Sequence, residues 1–214
     1  MGYRNIILDF DGTLTDSRQD IARAQIWVLR RLGVVEYREE DLYRHIGKSL
    51  QETFALLLPP AKHDRIPDAA KLYGEYYPQR SLLTTKLFPA VRETLEELKA
   101  RGKRLAVAST KRGTGVRRAT DHFGITALFD ILQGSEGLAF KPDPAVLHKI
   151  LTGQNWEREN TLMVGDTDLD ILAGKNAGLA TCAVTYGALS TDELRLHAPD
   201  FIIDDFGSLL EIAG

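Results

Sequence analysis

The sequence predicts an α/β fold, a parallel sheet with helices on both faces, interrupted by a helical insertion. Three observations predict it. The apolar run Ile6-Ile7-Leu8 ends in Asp9-Phe10-Asp11-Gly12-Thr13-Leu14, two carboxylates one residue apart and then a glycine. From Gly33 to about residue 83 no strand signal appears. After Pro89, helical stretches alternate with short apolar runs, the rhythm of successive strand-helix units in a parallel sheet.

Taken in order, residues 5–9 read as a buried strand. Residues 17–32 read as a helix with Ser17 as its cap and Ile21, Ala24, Val28 and Leu32 at helical spacing. Helices follow over 39–46, 49–58 and 66–76, punctuated by Gly33, Gly47, Pro59-Pro60 and Pro78. Beyond Pro89 come a helix over 89–101 closed by Gly102, a strand over 103–108, a helix over 113–123 and a strand over 129–132. A helix over 143–151, a strand over 161–164, a helix over 168–177 and strands over 181–184 and 200–203 complete the pattern. Ligands of such sheets bind beyond the carboxyl ends of the strands, where the distinctive polar residues of this chain fall.

Composition narrows the function classes. With 214 residues, 43% of them hydrophobic, the chain has material for one large domain, or one domain with an insertion. A net charge of −3 and scattered basic residues give no footprint for nucleic acid. No apolar run approaches the roughly 20 residues of a membrane helix, and Ile6-Ile7-Leu8 is too short for the core of a signal peptide. A cytoplasmic protein without a membrane partner is expected, either monomer or homodimer. Cys182, the single cysteine, lies in the apolar run Ala180-Thr181-Cys182-Ala183-Val184 and reads as a buried small hydrophobe.

Four segments carry chemistry. Side chains alternate along a strand, so Asp9 and Asp11 aim to the same side, and Gly12 lets the backbone approach a ligand closely. Such a pair can share a hard cation and divide the work of nucleophile and acid-base group. Leu105-Ala106-Val107-Ala108 runs into Ser109-Thr110-Lys111, hydroxyls and a lysine that suit a phosphate and equally suit a helix cap. Pro142 holds Lys141 in extended backbone before a helix. The strand Leu162-Met163-Val164 ends in Gly165-Asp166-Thr167-Asp168-Leu169-Asp170, three acids that repel one another unless a cation or a lysine sits among them. His63, His122, His148 and His197 lie far from any ligand-like spacing.

In order and spacing these segments, followed by Asn176-Ala177-Gly178 and Val184-Thr185-Tyr186-Gly187, resemble the haloacid dehalogenase superfamily and its phosphoglycolate phosphatase-like branch. The resemblance covers essentially the whole chain. It implies a Rossmann-like core over residues 1–15 and 84–214 with a helical cap over 16–83. It also implies an Mg2+-dependent phosphatase that hydrolyses a small phosphorylated metabolite through an aspartyl phosphate. In that scheme Asp9 is the nucleophile, Asp11 protonates the leaving oxygen and then deprotonates water, Ser109 holds phosphoryl oxygens, and Lys141 neutralises charge. Magnesium would be held by Asp9, the Asp11 carbonyl and Asp166, with Asp170 just behind them. Arg44-His45-Ile46-Gly47-Lys48-Ser49-Leu50 resembles the loop that related caps lower over the leaving group, which makes Gly47 and Lys48 substrate contacts beside Gly12, Thr110 and Lys111.

Two positions matter against the pattern of the wider superfamily. Thr110 stands where the branch often has asparagine, which changes contacts to the leaving group more than to the phosphoryl group. An acid at Asp11 argues against dehalogenases and phosphonate hydrolases, which lack one there. A sugar phosphomutase of the β-phosphoglucomutase kind, a pyrophosphatase or a nucleotidase would keep all four segments. A non-enzymatic binding protein would be free to lose the acids, and this chain keeps them.

Overall fold

The computed structural model describes residues 2–214. Among the described residues eight strands are present: β1 (Asn5–Leu8), β2 (Thr15–Asp16), β3 (Lys86–Leu87), β4 (Arg104–Ala108), β5 (Ile131–Gln133), β6 (Thr161–Gly165), β7 (Ala180–Val184) and β8 (Phe201–Ile203). Ten α-helices accompany them: α1 (Arg18–Arg31), α2 (Glu39–Leu42), α3 (Leu50–Leu57), α4 (Ile66–Tyr76), α5 (Val91–Ala100), α6 (Gly113–His122), α7 (Ala145–Gln154), α8 (Asp168–Asn176), α9 (Thr191–Arg195) and α10 (Leu209–Ala213). Six strands form one parallel sheet in the order β5-β4-β1-β6-β7-β8.

The sheet is covered on both faces, which explains why its strands read as continuous apolar runs. Ile6 and Leu8 of β1 face one layer with Val91, Leu95 and Leu98 of α5, while Ile7 between them faces Val146, Leu147 and Ile150 of α7. Cys182 is buried on the first of these faces, and burial pushes its thiol up to about 12. Both observations suit a core residue rather than a nucleophile.

Helices α1 to α4 form a separate lobe around their own core, including Val28, Leu29, Phe54, Leu57 and Tyr73. The helix expected over 39–46 is in two pieces, α2 and a 3-10 turn over Tyr43–His45. Gly47, at φ +92, then turns the chain into α3, whose cap Ser49 accepts a hydrogen bond from the Glu52 N–H at 3.2 Å. Two connections join lobe and sheet, and they pair with each other through the antiparallel ladder of β2 and β3, which has no sequence signal at two residues per strand.

Asp20, in the first turn of α1, fastens the second connection. Its buried carboxylate accepts from the N–H groups of Leu82, Thr84 and Thr85 and from both threonine hydroxyls, at 2.7–3.0 Å. Burial alone raises its pKa, but the bonds from Thr85 and Thr84 outweigh that, and the net shift is downward from 3.8. The unfolded chain therefore takes up the proton at higher pH than the folded one. The stabilisation is complete above 3.8 and is lost as pH falls through the lower folded value. Asp20→Ala is expected to cost about 3 kcal/mol at pH 7 in urea unfolding, and the gap to the parent should narrow as pH falls below 3.8. Among the described residues no helix is long and apolar enough to cross a membrane.

Candidate active site

After β1 the chain passes through the helical lobe and returns to one side of that strand as β4, and β6 later fills the other side. The carboxyl ends of β1, β4 and β6 therefore meet at a switch point of the sheet, the place where ligands of open α/β sheets bind. Asp9 follows β1 directly, with its N–H on the Val164 carbonyl at 2.9 Å. Phe10 is buried in the core, so the alternation sends Asp9 and Asp11 the other way. Gly12, at φ +97, folds the loop back so that its N–H reaches the Thr15 carbonyl at 2.8 Å.

Three of the expected acids converge. Oxygens of Asp9, Asp166 and Asp170 lie within 4.8 Å of one another, and all three residues are buried. Lys141, also buried, donates to Asp9 Oδ1 at 2.6 Å, to the Ala108 carbonyl at 3.2 Å and to Asp170 Oδ1. Asp168 is not among the three, although it opens α8 between Asp166 and Asp170.

Each carboxylate has a defined setting. Asp166 Oδ1 accepts from the Thr13 hydroxyl at 2.9 Å, and its Oδ2 accepts from the Ala188 N–H at 2.8 Å. Asp170 Oδ2 closes a capping box on α8 by accepting from the Thr167 N–H at 3.1 Å and hydroxyl at 2.6 Å. Gly12 and Gly187 are required here, because a Cβ on either would fall on the Asp166 carboxylate.

Burial and crowding set the electrostatics. Burial pushes Asp9 well above the carboxylate range, Lys141 opposes it, and the Asp170 and Asp166 charges add to it. Asp166 is pushed up to about 7 by burial and then by Asp170, against the hydrogen bonds from Ala188 and Thr13. Burial also opposes the charge on Lys141, but Asp170 and Asp9 outweigh it and the net shift is upward. Three carboxylates against one ammonium leave a net of two negative charges when all are ionised. An all-oxygen donor set with that excess fits a hard divalent cation such as Mg2+.

Asp11 is held apart from this set. Its Oδ1 accepts from the Ser17 hydroxyl at 2.6 Å, and its Oδ2 lies 3.1 Å from Lys111 Nζ. Ser17 stands at the cap position of α1 as expected, but its φ and ψ of −106° and 3° are not those of a capping serine and its hydroxyl makes no cap bond. The hydroxyl is taken by Asp11 instead. Ser109 is buried, with its Oγ accepting from the Lys111 N–H at 3.1 Å, and the neighbouring Thr110 carbonyl accepts from Ser135 at 2.7 Å.

The helical lobe lies over this centre. A Cβ on Gly47 would touch Thr167 Cγ2 at 3.3 Å, so the loop carrying Gly47 and Lys48 rests beside the acidic loop. A cleft lined by Gly12, Ser17, Tyr43, Ile46, Phe88 and Tyr186 runs between lobe and sheet and encloses about 20 Å³. That is room for water and not for a phosphate ester. Sequence reasoning missed Thr13, Thr167 and Ser17 as a partner of Asp11. Of these, Thr167 had a signal in the Thr-x-x-Asp spacing of a capping box.

A model of the haloacid dehalogenase-like hydrolase family matches residues 6–184. The chain belongs to the haloacid dehalogenase-like hydrolase family. A phosphoglycolate phosphatase from Aquifex aeolicus is 33% identical over 210 residues, covering 98% of this chain and 96% of the relative. A 5′-nucleotidase from Pseudomonas aeruginosa is 34% identical over 212 residues, covering 98% and 95%. In structure, a haloacid dehalogenase-like hydrolase from Bacteroides fragilis matches with a TM-score of 0.91 at 30% identity, covering 97% of this chain and 99% of that one. As a haloacid dehalogenase-like hydrolase with this set of acids, the chain is an enzyme of the phosphoric monoester hydrolase class.

Proposed function

We propose that the chain is an Mg2+-dependent phosphatase that hydrolyses a small phosphorylated metabolite, phosphoglycolate foremost, through an aspartyl phosphate on Asp9. The buried meeting of Asp9, Asp166, Asp170 and Lys141 at the switch point carries this reading. Phosphoglycolate phosphatase relatives that match nearly end to end support the substrate.

In the first half-reaction an Asp9 oxygen bonds to phosphorus as the bond from phosphorus to the leaving oxygen breaks, and Asp11 gives its proton to that oxygen. In the second, water bonds to phosphorus as the bond from phosphorus to the Asp9 oxygen breaks, a water proton passes to Asp11, and inorganic phosphate leaves with Asp9 restored as a carboxylate. Lys141, bonded to Asp9 and Asp170 together, fixes the rotation of the Asp9 carboxylate and offsets charge on the transferring group. Ser109 and neighbouring N–H groups hold phosphoryl oxygens. Asp170 is committed to Lys141 and Thr167, which suits orientation rather than direct metal contact. Asp9, the Asp11 carbonyl and Asp166 would hold magnesium, which would supply positive charge for a dianion approaching this acidic centre.

Residues 16–83 act as the cap, which lifts to admit substrate and lowers to exclude water, with Gly47, Lys48, Thr110 and Lys111 at the leaving group. A cytoplasmic setting, in which Cys182 stays reduced, belongs to the same reading.

The test is phosphate release from a panel of phosphorylated metabolites. Turnover of phosphoglycolate with magnesium, and its loss on chelation, is expected. No release from any member with magnesium would reject the reading. Because of the nucleotidase relative, the panel includes nucleoside monophosphates, and preference for these would reassign the substrate while keeping the chemistry.

A further inference from the structure

Tyr77 has no place in the scheme above, yet it reaches into the centre. It opens the 3-10 turn Tyr77–Gln79 that follows α4, is only 8% exposed, and stacks on Tyr73 at 5.0 Å and 16°. Its hydroxyl accepts a hydrogen bond from Lys111 Nζ at 2.8 Å. The same ammonium lies 3.1 Å from Asp11 Oδ2 and 4.6 Å from the centre of the Tyr77 ring. Arg118 of α6 binds the next stretch of the cap, donating to the Pro78 carbonyl and the Ser81 hydroxyl.

Packing alone does not require that oxygen. A phenylalanine would fill the space and keep the stack on Tyr73, and a buried hydroxyl is costly unless paired. Here its partner is a cation of the core that is itself bound to Asp11. An ammonium has three N–H donors on a flexible stem. With one on Asp11 and one on Tyr77, the direction of the third is fixed.

We propose that Tyr77 is a positioning residue, which from the cap holds Lys111 against Asp11 so that the proton-transfer geometry is complete only while the cap lies on the core. This rests on the reading of Asp11 as the acid-base group. Lifting the cap withdraws the hydroxyl and leaves Lys111 with Asp11 and water.

The test compares an alkyl phosphate, whose leaving oxygen needs a proton, with p-nitrophenyl phosphate, whose leaving group does not, in the magnesium-loaded enzyme. Tyr77→Phe keeps the ring and removes only the oxygen. Its kcat on the alkyl phosphate is expected to fall about tenfold, and on the aryl phosphate by less than about threefold. In a Lys111→Met background the same change should cost nothing further on the alkyl phosphate. Asp11→Asn serves as reference and should discriminate between the two substrates in the same sense. If Asp11→Asn discriminates but Tyr77→Phe lowers both rates equally, or costs as much without Lys111, the proposal is overturned and the acid-base reading stands. If Asp11→Asn lowers both rates equally, that reading fails and the proposal falls with it.

Discussion

Asp9→Asn is expected to reduce phosphate release by at least about 10⁴-fold while the chain stays folded. The amide matches the carboxylate in size but cannot attack phosphorus. Its removal of one charge from a site that crowds Asp9, Asp166 and Asp170 together lowers the repulsion among them. Lys141 keeps Asp170 as a partner, so no buried ammonium is stranded. Unfolding in urea should therefore show a midpoint at or above that of the parent. Acid quenching during turnover of ³²P-labelled substrate should trap label on the parent protein and none on the variant. Release by the variant near the parental rate would remove Asp9 from the reaction.

Lys141→Met acts on the same centre in the opposite sense. Methionine nearly replaces the stem of the side chain but leaves Asp9, Asp166 and Asp170 buried without their ammonium. Breaking a buried ion pair from one side costs about 3–5 kcal/mol, because the remaining charge is uncompensated. Turnover should fall by about 10³-fold or more, since charge compensation in a water-excluded site is among the largest catalytic terms. Magnesium, added during urea unfolding, should return part of the stability and little of the rate. A variant as stable as the parent in the absence of metal would show that the acids are already neutral in the folded chain.

Much of this centre was legible because several of its residues stand directly after an apolar strand. Asp9 follows Leu8, Ser109 follows Ala108 and Asp166 follows Gly165, so finding the strand ends found the residues that the sheet brings together. Buried central strands carry that signal strongly. The edge does not: β5 falls at Ile131–Gln133 rather than 129–132, with its first two residues only partly buried. The helices α9 and α10 lay beyond the reading, although Ser190 and Glu193 have the spacing of the capping box they form. The lobe over 16–83 read as helical from its periodicity, but its contacts with the core did not. An amphipathic pattern marks which face of α1 or α4 is apolar, not which residue at the end of a helix meets Lys111. Asp20 shows the same limit, since nothing near it in sequence signals that its partners begin at Leu82.

The position of β1 in the middle of the sheet has a consequence for synthesis on the ribosome. Its two neighbours start at Arg104 and Thr161, with the whole helical lobe translated before either of them. At about 5–20 residues per second, Ile6, Ile7 and Leu8 wait on the order of ten seconds for their first ladder partner. Meanwhile the lobe, whose apolar core is drawn from Ile21 to Tyr77, has its own core residues in hand and is expected to collapse first. The emerging polypeptide thus exposes a sticky strand early and acquires its phosphatase chemistry late. A truncated translation product ending before Asp166 holds Asp9 but lacks two of the three acids that meet at the centre, and such a fragment is expected to release no phosphate.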